Sequence, residues 1–325
     1  MIAAASSPGK VILFGEHFVV YGAPAIVSAI NRRARVIVQP RGDEAIQVVS
    51  DLGIAGIFDE DRFKRISGGN SARKGLEPVK IAARAVIEEL DIRTGLNITV
   101  RSEIPVAVGL GSSGAVAVAT VSAVGRLLGK TFTRDDIFRL SFEPERFVHK
   151  DPSGIDQTIS TFGGTIRYER DKGITDLGVI HSLPLVIGNT GILRSTGDLV
   201  AMVRGFRDED PERFQRLLIR ARQISENAVE ALHRNDLERL GQLMNQNQEL
   251  LDAIGASHKA LDKAIEAARE SGALGAKLTG AGGGGCMIAL APPGETKSIA
   301  KSIAPIVEPI SVEVTKKGVI SWLKA

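Results

Sequence analysis

Residues 105–117 place a glycine-rich turn, Gly-Leu-Gly, directly before Ser-Ser-Gly and a run of small apolar residues. That order predicts a tight turn opening a buried helix, and a turn of this kind binds phosphate. Gly109 and Gly111 let the backbone take positive φ and approach a ligand closely. From about Ser112 onward, the unpaired N–H groups of the helix point at the ligand with the positive end of the helix dipole behind them. Pro105, Gly109, Leu110, Gly111, Ser112, Ser113 and Gly114 are therefore candidate phosphate contacts. A hydroxyl at Ser112 or Ser113 can add a Mg²⁺ ligand or a phosphate hydrogen bond. No Lys precedes the serine pair, so this is not a P-loop. The competing reading is a serine N-cap after a turn.

Two other segments carry chemistry. Residues 7–17 read as a short buried strand flanked by glycines, with Lys10, Glu16 and His17 at its ends. Residues 280–285 hold five glycines in six positions, between two apolar runs. A loop that rich in glycine loses much conformational entropy on ordering, so something must reward its order. A flexible linker is the alternative, but linkers are seldom bracketed by buried strands.

In this order and spacing the three segments resemble the three signatures of the GHMP small-molecule kinases, most closely the branch that phosphorylates mevalonate. Pro8-Gly9-Lys10, Gly15-Glu16-His17 and Val19-Val20-Tyr21-Gly22 are similar to the first motif. Residues 145–156, from Glu145 to Asp156, are similar to the segment that holds a catalytic aspartate and a Mg²⁺-binding glutamate. Residues 189–196 resemble a segment ending in Arg-x-Thr, here Arg194 and Thr196. Phe14 and Gly114 depart from the usual pattern; the second replaces an Ala and is expected only to loosen the helix, by less than about 1 kcal/mol.

The resemblance implies ATP as co-substrate, Mg²⁺ as cofactor and mevalonate as acceptor, in isoprenoid synthesis. It also implies a two-domain α+β fold, the first domain like ribosomal protein S5 domain 2 and the second ferredoxin-like, with the site between them. Phosphoryl transfer needs phosphates held in place, a metal, an in-line hydroxyl and a group to take its proton. By resemblance, residues 109–113 hold the ATP phosphates and Ser113 with Glu145 holds Mg²⁺, a hard cation that prefers oxygen. Asp156 is then the base, with Lys10 beside it keeping the carboxylate ionised. Glu16, His17, Arg194, Thr196, Thr279 and Gly280 are the candidate substrate contacts. Arg194 suits a carboxylate because its guanidinium binds two oxygens at once.

Each assignment has a plain competitor. Glu145 could pair with Arg139, Arg146 or Lys150, and Asp156 could cap a helix starting at residue 157. Lys10 could be an edge-strand residue, and Arg194 a surface charge at a helix start. For the whole chain, the alternatives are a phosphomevalonate kinase and a non-catalytic ligand sensor. The first calls for an extra Lys or Arg cluster facing the acceptor. Retention of Lys10, Ser113, Glu145 and Asp156 together argues against the second.

Composition narrows the partners. A net charge of +3 favours anionic ligands mildly, but Lys and Arg are spread along the chain and only 4% of residues are aromatic, which speaks against nucleic acid. Cys286 is the one cysteine, which excludes an internal disulfide and fits a reducing, cytoplasmic compartment. No secretory signal stands out, and no run approaches the roughly 20 apolar residues of a membrane span. The five histidines lack zinc-site spacing. A homodimer stays open.

At 325 residues the chain exceeds what one core usually serves. Residues 1–180 are expected to form the first domain, with short strands and helices at 78–90, 113–128 and 134–148. Pro78 is placed as a first helical residue, Thr133 with Asp136 as a cap, and Pro144 as an irregularity. Residues 59–75 read as a polar mobile loop. Residues 181–325 are expected to form the second domain, with helices at 199–206, 214–232, 237–254 and 261–268 over a small sheet.

Overall fold

The computed structural model describes residues 1–325 apart from Asp61, Ala107, residues 149–152, 179–180 and 193–194, Ala325, and the side chain of Val148. The chain opens with two long strands, β1 (Ile2–Phe14) and β2 (Ala25–Arg41), then β3 (Ile46–Ser50), β4 (Ala55–Asp59) and β5 (Arg62–Ser67). Helix α1 (Ala72–Glu89), strand β6 (Gly95–Ser102) and helices α2 (Ser112–Leu127), α3 (Arg134–Leu140), α4 (Phe142–Val148) and α5 (Ile155–Phe162) follow, then β7 (Thr165–Glu169) and β8 (Gly173–Asp176). The second half runs β9 (Pro184–Asn189), α6 (Thr196–Glu209), α7 (Pro211–Arg234), α8 (Leu237–Ala253), α9 (Lys259–Glu270), β10 (Gly275–Thr279) and β11 (Cys286–Leu290). It ends with α10 (Thr296–Ile303), β12 (Glu308–Glu313) and β13 (Ile320–Lys324).

One sheet runs β13-β1-β2-β6-β3-β4-β5, with β7 pairing the start of β2 and β8 beyond it. Its described pairs are antiparallel except β3 with β6. The second sheet, β10-β11-β9-β12, is antiparallel and carries α8, α9 and α10 against it. The α+β architecture is the expected one. Residues 320–324 pair with residues 2–6, so the last strand belongs to the first sheet and crosses a division drawn at residue 180.

Two large cores lie on either side of β1. Ala3 and Ala5 join the core that packs α1 and α2 onto the first sheet. Val11, Leu13 and Phe14 join the core of the second half, with Ile187, Leu278 and Ile288. The strand that carries Lys10 is thereby fixed to both halves.

Several elements differ from the sequence reading. Helix α1 begins six residues before Pro78, because Ala72 and Leu76 find burial there and tertiary packing overrides the local signal. Residues 62–67, read as loop, form an exposed edge strand on β4; its Arg and Lys side chains are what a protected edge carries. The helix expected over 134–148 is two, broken at Ser141, with Pro144 in the first turn of α4 where its missing N–H is harmless. Thr133 does open α3, in a reciprocal capping box with Asp136.

Candidate active site

The ladder between β1 and β2 shifts between Pro8 and Lys10. There the N–H of Lys10 donates to the carbonyl of Leu110 at 2.9 Å, joining β1 to the glycine-rich turn. Gly9 permits the approach, since a Cβ at that position would lie 2.8 Å from the Leu110 oxygen. On either side of Leu110, Gly109 and Gly111 have φ of 86° and 75°. Gly111 is the left-handed N-cap of α2 and no side chain caps that end, so the serine-cap reading is not how this helix begins. Its first N–H groups are left for a ligand. Ser112 is buried and Ser113 is exposed.

Lys10 and Asp156 converge beside this helix end. Lys10 Nζ lies 3.2 Å from Asp156 Oδ1, with the two side chains 10% and 24% exposed. Lys10 is therefore no edge residue. Asp156 is the second residue of α5, whose N-cap is Gly154, so the capping role for Asp156 is excluded. The glycines of the turn make room for both side chains. A Cβ on Gly111 would sit 2.7 Å from Lys10 Cγ, and one on Gly114 would sit 2.9 Å from Asp156 Cβ. Gly114 is thus more than a loosened helix position.

A cavity of about 430 Å³ opens at this point. Gly109, Gly111, Ser113, Asp156 and Thr196 line one side, Leu52, Ile54, Val79 and Val116 give it an apolar wall, and Pro105 stands at its edge. The apolar wall was not legible in the sequence, because ordinary aliphatic residues from the β3–β4 turn, α1 and α2 carry no motif. Thr196 opens α6, where Ser195 accepts from the Asp198 N–H at 3.3 Å. Arg194 lies outside the described residues.

Glu145 is buried on α4, which packs against α1 and α2. Two of its expected competitors are engaged elsewhere, Arg139 with Glu89 and Arg146 with Glu143, each at 2.7 Å. Lys150 lies outside the described residues. Among the described residues no group of three or more His, Cys, Asp or Glu gathers into a metal cage. A lone carboxylate with a serine hydroxyl and ligand phosphates is nonetheless a donor set that suits Mg²⁺.

Two of the expected substrate contacts have protein partners of their own. Glu16 is fully buried, with one carboxylate oxygen held by Lys277 Nζ and the other accepting from Asn247 Nδ2 at 3.1 Å. Lys277 also donates to the Leu278 carbonyl at 2.6 Å. Burial lowers the Lys277 pKa, and the Glu16 charge opposes that shift. Thr279 spends its hydroxyl on β1, donating to the Ile12 carbonyl at 3.0 Å and accepting from the Ile12 N–H at 3.1 Å. Both residues clasp the two halves together. His17, at φ 59°, donates from Nε2 to the Ala281 carbonyl at 2.7 Å.

The last glycine-rich loop is ordered, not a linker. Gly280 has φ of 80° and is buried. Gly283 donates to Ala256 at 2.9 Å and Gly285 to Ile192 at 3.1 Å. A Cβ on Gly282 would fall 1.8 Å from the Ala256 oxygen, so only glycine fits.

Family comparisons agree with this geometry. Residues 77–164 match the GHMP kinases N terminal domain and residues 228–306 the GHMP kinases C terminal domain. A mevalonate kinase of Thermococcus gammatolerans is 44% identical over 328 residues, covering 98% of each chain. One from Pyrococcus horikoshii is 44% identical over 308 residues, covering 92% of this chain and 91% of its own. The crystal structure of L. major mevalonate kinase in complex with R-mevalonate superposes with a TM-score of 0.82 at 31% identity, over 96% of both chains. The chain belongs to the GHMP kinases, and within them to the mevalonate kinases.

Proposed function

We propose that this protein transfers the terminal phosphoryl group of ATP to the primary hydroxyl of mevalonate, giving ADP and 5-phosphomevalonate. The observation that carries the reading is the Lys10–Asp156 pair at 3.2 Å, set against the uncapped start of α2 at the mouth of the cavity. A cavity of about 430 Å³ with one apolar wall suits a nucleoside, and its size falls within the usual range for small-ligand sites. The backbone N–H groups from Gly109 to Gly114 receive the phosphates. Asp156 accepts the proton of the attacking hydroxyl, and Lys10 beside it favours negative charge on the incoming oxygen.

Ser113 and Glu145 would hold Mg²⁺. When bound, the ion supplies neutralisation of the charge carried by the β- and γ-phosphate oxygens. Thr196 and His17 border the acceptor, and Arg194 is assigned its carboxylate on chemical grounds, as a fork that binds two oxygens. Residues 1–180 serve chiefly the nucleotide and residues 181–325 complete the acceptor side, with residues 320–324 returned to the first sheet.

The test is turnover of purified protein with ATP, Mg²⁺ and mevalonate, read as ADP and 5-phosphomevalonate. Asp156→Asn is expected to lower kcat by at least about a hundredfold and leave nucleotide binding nearly intact, because it removes an interaction made in the transition state. Loss of nucleotide binding together with turnover would make Asp156 structural. Preference for phosphomevalonate over mevalonate would overturn the acceptor and leave the phosphotransferase.

A further inference from the structure

The Lys10–Asp156 contact is one end of a helix lying on a strand, and two serines outside the proposed chemistry hold the other end. Ser160 follows Asp156 by four residues, which puts both on one face of α5, about 6 Å apart along its axis. Ser7 and Pro8 precede Lys10 on β1, where two residues span about 6.6 Å. The two spans match. The Ser7 hydroxyl donates to the Ser160 carbonyl at 2.9 Å, and the Ser160 hydroxyl donates to the Pro8 carbonyl at 2.9 Å. Both serines are fully buried.

Neither bond is an incidental filling of a polar atom. The carbonyl of Ser160 is among the last four of α5, which have no partner within the helix. Gly164, whose N–H would continue the helix to it, donates to Thr315 instead at 2.9 Å. The Ser7 hydroxyl is what satisfies this carbonyl. Pro8 lies where the β1–β2 ladder shifts, immediately before Lys10 departs toward Leu110. The Ser160 hydroxyl anchors the strand at that shift. Elsewhere on α5 the arrangement is looser: the Gln157 amide and the Thr161 hydroxyl are buried without a hydrogen-bond partner.

We propose that Ser7 and Ser160 are positioning residues for phosphoryl transfer, a reciprocal pair of hydroxyls that fixes α5 on β1 and so sets the separation of Lys10 and Asp156. The inference rests on the reaction proposed above. With either hydroxyl gone, α5 is free to shift along β1 by a fraction of an ångström, and the base loses alignment with the attacking oxygen. The N–H groups proposed to hold the phosphates belong to a separate helix, α2.

The experiment is steady-state kinetics of Ser7→Ala and Ser160→Ala, with thermal midpoints recorded, each also made in the Asp156→Asn background. Each single change is expected to lower kcat, normalised to the folded fraction of each preparation, about tenfold while KM for ATP and for mevalonate stays within about twofold, the pattern of an interaction made only in the transition state. In the Asp156→Asn background neither change is expected to lower the residual rate further, because both act through Asp156. Ser7→Thr, which keeps the hydroxyl, is expected to recover most of the rate. A kcat within twofold of wild type in both alanine variants, or the same tenfold loss on top of Asp156→Asn, overturns the proposal. If Ser160→Ala does not fold, Ser160→Cys takes its place, and the same two outcomes decide. Full turnover by Asp156→Asn alone would instead refute the assignment of the base, a separate result.

Discussion

Gly114→Ala separates the steric reading of this site from an argument based on helix propensity. Alanine in place of glycine within α2 favours the helix by up to about 1 kcal/mol, so the folded state should be no weaker. At the site the balance is opposite. The new Cβ would lie 2.9 Å from Asp156 Cβ and 3.3 Å from its carbonyl carbon, where ordinary contact begins at 3.4 Å. Asp156 must therefore retreat by roughly 0.5 Å, taking its carboxylate with it. A misplacement of about 1 Å can cost about a hundredfold in rate, so half of that costs about tenfold, or about 1.4 kcal/mol of activation free energy. The assay is ADP release with saturating mevalonate, with ATP titrated and the thermal midpoint measured on the same preparation. Expected are a kcat near one tenth of wild type and a KM for ATP within about twofold, while in the midpoint the gain in helix propensity is opposed by the strain of displacing Asp156. A kcat within twofold of wild type would refute the reasoning, as would a loss of rate accompanied by an equal rise in the ATP KM.

Two further predictions concern charge. Lys277→Met leaves the Glu16 carboxylate buried without its cation and is expected to cost about 3–5 kcal/mol of stability, read from urea unfolding, while Glu16→Gln added to it restores much of the loss. A cost under about 1 kcal/mol would show that the pair does not hold the halves together. On the surface, the Arg41 hydrogen bond holds the Asp43 carboxyl at about 2, below its usual 3.8. The folded state therefore binds fewer protons there than the unfolded one, and the stabilisation present above pH 3.8 is lost as pH falls through about 2. The difference in thermal midpoint between wild type and Asp43→Asn should accordingly shrink over that window; a difference that stays constant would contradict it.

The parts of the site that sequence makes legible are those enforced by local backbone geometry. Gly109, Gly111 and Gly280 stand where positive φ is required, and Pro8-Gly9-Lys10 stands where a strand must touch a carbonyl. Glu16 and Thr279 were read as ligand contacts because they are polar and sit inside glycine motifs. Their protein partners, Asn247, Lys277 and Ile12, are up to 267 positions away, and no local pattern reveals them. The same limit hid the extension of α1 before Pro78, which exists because a distant surface packs on it, whereas β5 is a local hairpin on β4 whose mostly exposed residues carry no apolar alternation. Gly114 shows the converse case, a residue whose importance follows only from what an absent atom would strike.

The pairing of residues 2–6 with 320–324 has a consequence for biosynthesis. The strand bearing Lys10 is made long before residues 320–324, so its outer edge waits for that partner. Until then that edge is an open template, and contacts between such remote positions close slowly. A nascent chain that stalls after the last glycine-rich loop would hold every group needed to grip nucleotide and acceptor, yet its first sheet would be missing a border strand. Catalytic competence should therefore wait for residues 320–324, which act as the fastening that commits the rest.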